Sequence, residues 1–123
     1  MSEVPVLDQS VLSELQETTG DDPDFVRDLV ETYLADVPLQ LKGIDEAIAA
    51  NDAEALVRPA HTLKSSSVTL GALRLGEVSR TLEVAGRSGT LDATARENAA
   101  AAHAEWTRIQ QAIGAWLAGH TNS

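Results

Sequence analysis

In the stretch AHTLKSSSVTLGA, residues 60–72, a histidine, a lysine and three consecutive serines stand inside an apolar-periodic segment. A neutral imidazole nitrogen is a nucleophile near pH 7. Lys64, at i+3 from His61, shares its helical face and would bring an ammonium beside any anionic group carried by the ring. Ser65, at i+4, is small enough to leave space over the next turn, and its hydroxyl could donate to a phosphoryl oxygen. Together they suit capture of a phosphoryl group on His61, with its charge offset by a mobile lysine.

The elements that must position these side chains are helices, since β-branched and aromatic residues are sparse and no period-2 run persists. A first helix is predicted from about Asp8 to Thr18, ending at TTGDDP. There Asp22 can cap the next helix and Pro23 fits its first turn. Val26, Val30, Tyr33, Val37, Leu41, Ile44 and Ile48 form one stripe of a long second helix, with a bend expected at Pro38. The third starts near Asn51 or Asp52 and ends around LGA at Gly71, and the fourth runs from about Leu73 to Ala85, stopping at GRSGTLD. Asp92 or Thr90 can cap a fifth, whose stripe is Leu91, Ala95, Ala102, Ile109, Ile113 and Trp116 or Leu117. Four long amphipathic helices with short connections imply an all-α, antiparallel up-down four-helix bundle, with the short N-terminal helix as a cover. The expected organisation is one domain over 1–123, with a core of about 24–118, a covering segment 1–20 and a flexible tail 119–123. Phe25, Tyr33, Trp106 and Trp116 read as core or helix-packing residues.

On the third helix, Leu56, Leu63 and Leu70 fall within about 40° of the direction opposite His61, which makes that side the core. His61 therefore points to solvent. Val57, Lys64, Ser65 and Val68 lie near it, and Glu54 and Ala72 share its side. The plain reading of a helical histidine is a solvated or satisfied polar group. A solvated histidine alone leaves Val57, Val68 and Ala72 unexplained, whereas small apolar residues around a polar centre suit transient docking. Ser66 and Ser67 face inward, where small hydroxyls bond back to helix carbonyls and permit close packing.

The 123 residues carry a formal charge of −10 and no cysteine, which excludes disulfides and thiolate zinc sites. A pI near 4.5 argues against nucleic-acid binding, which needs a basic face. No apolar run approaches the roughly 20 residues of a membrane span, and the N-terminus lacks a secretory pattern, so a cytoplasmic protein is expected. The charge is uneven: residues 58–87 hold Arg58, Lys64, Arg74, Arg80 and Arg87, five of the nine basic residues, against only Glu77 and Glu83. Solvated helix faces would account for this, and so would a local positive patch beside His61. No P-loop or glycine-rich nucleotide loop is present, and His103 and His120 lack metal-ligand spacing.

At AHTLKSSSVTLGA, with the flanking ALVRP and LGEVSRTLEVAGRSG, the sequence resembles the histidine-containing phosphotransfer (HPt) domains of bacterial multistep phosphorelays. The resemblance extends from about Phe25 to Leu117, although its informative motif is about a dozen residues. It implies that His61 accepts and donates a phosphoryl group through Nε2 and that Lys64 assists electrostatically. Ser65 stands where the family most often has glycine, a mild departure that narrows access or alters the rate. The partners implied are receiver domains of hybrid kinases and response regulators, docking over Val57, Arg58, Val68 and Ala72. Mg²⁺ is expected only in those receivers, with no cofactor or metal of the chain's own, no kinase activity and a monomeric state. A binding-only adaptor that sequesters receivers without transfer shares every feature except a chemically competent His61.

Overall fold

The structure is a computed structural model that describes residues 6–18, 20 and 23–121, with side chains at 6–18, 20 and 24–118. Five helices succeed one another, α1 (Gln9–Thr18), α2 (Pro23–Ala49), α3 (Ala53–Thr69), α4 (Leu73–Ser88) and α5 (Ala93–Thr121), and no strand occurs among the described residues. Each of α2 to α4 packs on its successor, and α5 closes back on α2, so the four long helices enclose one core, with α1 laid against α2. Leu12 of α1 is fully buried in that core.

Side-chain caps fix two of the starts. Asp52 Oδ1 accepts from the Ala55 amide at 3.1 Å, and Asp92 Oδ1 from the Ala95 amide at 3.1 Å, satisfying donors that the first turn leaves without partners. The expected cap at Asp22 lies outside the described residues. The α2 stripe from Val26 to Ile44 is buried and Ile48 partly so, and Pro38 stands within a helix that continues past it. On α5, Ala95, Ala102, Ile109, Ile113 and Trp116 are buried, while Leu91 and Leu117 pack at the core's edge. Helix α5 continues to Thr121, where a tail was expected from 119; the His120 side chain lies outside the described residues.

Three expectations are corrected. Helix α4 does not stop at Ala85; it runs to Ser88 and is capped by Gly89 in the left-handed region. The reason is that Gly86 is a packing residue: a Cβ there would lie 2.9 Å from both the Ala53 carbonyl oxygen and Val57 Cγ2 on α3. Phe25 is 46% exposed instead of core, because it lies beside the Val26 stripe at the start of α2. Ser67 does not bond back to its helix; its hydroxyl pairs with that of Tyr33 at 2.8 Å across the α2–α3 contact, whereas Ser66 donates to the Leu63 carbonyl as expected. Burial pushes the Tyr33 phenol up to about 12, so it remains a neutral partner for Ser67.

The end of α3 sets the place of its neighbour. Leu70 caps the helix and Gly71 takes φ +83, a conformation costly for residues with a Cβ. The Gly71 carbonyl accepts from the Asp8 amide at 2.8 Å, tying the segment before α1 to the α3–α4 turn.

Candidate functional site

His61 lies mid-way along α3 on the side away from Leu56 and Leu63, both fully buried, and its side chain is 52% exposed. The ring is not free, however. Its Nδ1 lies 3.0 Å from Oε2 of Glu83, a residue of α4 whose side chain is only 7% exposed. The other oxygen, Oε1, is 2.9 Å from Lys64 Nζ. Arg87, one turn beyond Glu83 on the same helix, donates to Oε2 through Nε at 3.0 Å and Nη2 at 2.8 Å. Three basic side chains thus converge on one carboxylate.

The hydrogen bonds from Lys64 and then Arg87, with a smaller contribution from His61, hold the Glu83 carboxyl at about 2, below its ordinary 4.5, although burial acts in the opposite direction. Glu83 is therefore ionised at neutral pH and can only accept hydrogen bonds, so Nδ1 of a neutral His61 carries the proton. Nε2 is left with its lone pair, on a half-exposed ring. A nucleophile of this kind needs no further base, because the attacking nitrogen is already unprotonated.

Glu83 is the site residue that sequence reasoning missed. It is 22 residues from His61, and the helical wheel of α3 carries no information about it. Its own helix does carry a signal: Leu75, Ser79, Leu82 and Gly86 mark the buried face of α4, and Glu83 falls on that face with Arg87 at i+4. A carboxylate in a buried stripe requires cationic partners.

The sequence-predicted residues divide. Lys64 is beside His61 but is ion-paired with Glu83 and 31% exposed. Ser65 is exposed on the same side, while its carbonyl accepts from the Thr69 hydroxyl at 2.8 Å. Arg58 is exposed and Val68 is 50% exposed. Val57 is half-buried and faces Gly86 of α4. Ala72 is fully buried, which corrects its assignment to a docking face. The α3 wheel does not extend to it, because the helix ends at Thr69 and the left-handed turn at Gly71 sends the chain into α4. The positive patch is likewise smaller than the charge count implies, since Glu83 neutralises part of Lys64 and Arg87.

Next to the site, Lys64, Val68, Leu73, Gly76, Glu77 and Arg80 line a shallow groove of about 290 Å³ between α3 and α4. Among the described residues no three His, Cys, Asp or Glu side chains converge to hold a metal, and no helix is long and apolar enough to cross a membrane. His103 is exposed, with Nε2 2.8 Å from Asp45 Oδ2 on α2.

The chain matches the family described as Hpt domain over residues 28–118. Among solved structures it is similar to histidine-containing phosphotransfer protein B from Pseudomonas aeruginosa PAO1, with 29% identity and a TM-score of 0.81, over 91% of this chain and 94% of that one. No curated protein matches the chain. With the family's match spanning α2 to α5 and enclosing the His61–Glu83 pair, the chain belongs to the Hpt domain family.

Proposed function

We propose that this chain is a phosphorelay intermediate in which His61 accepts a phosphoryl group from a receiver-domain aspartate and passes it to the aspartate of a second receiver. The observation that carries this reading is the bond from His61 Nδ1 to Glu83, which leaves the Nε2 lone pair uncommitted to Glu83 on a ring that is half-exposed. In the forward step that lone pair forms the N–P bond as the P–O bond to the donor aspartate breaks, and the donor leaves as a carboxylate. The Nδ1 proton stays in place, and the positive charge that develops on the ring faces Glu83. Attack by the second aspartate on phosphorus reverses these changes and restores neutral imidazole.

Phosphoryl transfer depends largely on alignment and charge neutralisation. Lys64 can supply the latter once it turns from Glu83 to the phosphoryl oxygens, and Ser65 gives the incoming group space. The chain then acts as a phosphocarrier without kinase activity, in a cytoplasmic setting and as a monomer, with Mg²⁺ supplied by the receiver. In this reading α2 to α5 alternate as an antiparallel up-down bundle that presents His61 on the α3–α4 face. Arg58 and Val68, with the groove beside Lys64, form the docking face, and Val57 contributes at its edge.

Incubation with an acetyl-phosphate-charged receiver tests this. Acid-labile, base-stable label should appear on the wild type and be absent from His61→Gln, whose helical circular dichroism stays unchanged. Label retained by His61→Gln would move the site elsewhere.

A further inference from the structure

The two cations on Glu83 are not equivalent. Lys64 reaches Oε1 from α3 on a flexible four-carbon stem, whereas Arg87 holds Oε2 from α4 with two N–H groups of a planar fork, on the same oxygen that accepts from His61. The anchor set by Arg87 is internal to α4 and does not depend on α3. Lys64 is also the cation that a phosphoryl group on Nε2 would draw away, being at i+3 from His61. A carboxylate that is only 7% exposed cannot be left without a cation, so something must hold Glu83 when Lys64 departs.

We infer that Arg87 is a positioning residue for the transfer: it keeps Glu83 against His61 Nδ1 while Lys64 exchanges Glu83 for the phosphoryl group. The inference rests on the proposed function of His61. It divides the labour between two cations on one carboxylate, the mobile one neutralising the transferred group and the fixed one maintaining the tautomer of the nucleophile. Arg87 does not touch the phosphoryl group in this arrangement.

The test reads the imidazole ¹⁵N resonances of His61 in the unphosphorylated protein near pH 8.5, above the ordinary imidazole range. Lys64→Ala should retain one fixed Nδ1–H tautomer, because Arg87 still holds Glu83. Lys64→Ala/Arg87→Ala should show averaged nitrogens, and Lys64→Ala/Arg87→Lys should recover the fixed form. Averaging in Lys64→Ala alone, or a fixed tautomer in the double alanine variant, would overturn the inference. With Lys64 in place, Arg87→Ala should slow receiver-to-His61 transfer about tenfold, and Arg87→Lys should restore most of it. An unchanged rate in Arg87→Ala would remove the exchange, and circular dichroism at wild-type helicity keeps both variants interpretable. Should wild-type protein take no label from any receiver, the function of His61 fails, while the ¹⁵N result still decides what Arg87 does to the ring.

Discussion

Glu83 gives His61 its chemical character, and its own charge rests on its partners. The carboxyl lies at about 2 instead of 4.5 because of Lys64 first and Arg87 second, so ionised Glu83 contributes stability that is fully present above about 4.5. That contribution is lost as the pH falls towards about 2, since protonation removes the charge both cations engage. Glu83→Gln should therefore be less stable than wild type at pH 7, with the difference in urea midpoint constant down to about pH 5 and closing between about pH 4.5 and 2. A pH-independent difference would assign Glu83 a packing role only. Lys64→Ala should keep its fold, because Arg87 still neutralises Glu83, yet transfer to His61 should slow by about tenfold in a rapid-quench assay. An unaltered rate would remove the ammonium from the transfer.

Helices α3 and α4 set the geometry of the site, because His61 and Lys64 come from one and Glu83 and Arg87 from the other. Their spacing depends on Gly86, where added bulk meets the Ala53 carbonyl and Val57 at 2.9 Å. Gly86→Ala should cost about 1–3 kcal/mol in chemical denaturation and shift the His61 ring resonances by moving α4 outward. Leu63, fully buried on the opposite side of α3 from His61, should cost roughly 2–5 kcal/mol on substitution by alanine, with neutrality contradicting the assigned face of the helix. Most of this was legible in the sequence. The starts at Asp52 and Asp92, the turn at Gly71 and the stripes of α2 and α5 follow from local capping and periodicity. What misled was a glycine read as a stop: Gly86 has no local property that separates a helix terminator from a close contact, and only the approach of α3 decides. Ala72 was misplaced for a similar reason, since a wheel is valid only as far as the helix lasts. Glu83 stayed hidden because its relation to His61 is a tertiary contact between two helices, although its place on the buried face of α4 was readable.

At the scale of the molecule, a formal charge of −10 coexists with a site whose rim retains exposed Arg58 and Arg80. An acidic partner pocket can approach that rim while the remaining surface repels polyanions. The fold supplies a half-exposed imidazole with one nitrogen committed to Glu83, and in the proposed function the receivers supply the rest of the chemistry. The most direct test charges one receiver with acetyl phosphate, adds this protein, removes the donor, adds a second uncharged receiver, and locates the label by mass spectrometry at each stage. The account predicts phosphate on His61 after the first stage and its loss to the second receiver's aspartate after the last. Tight receiver binding with His61 unlabelled throughout would contradict it and make the chain a docking adaptor.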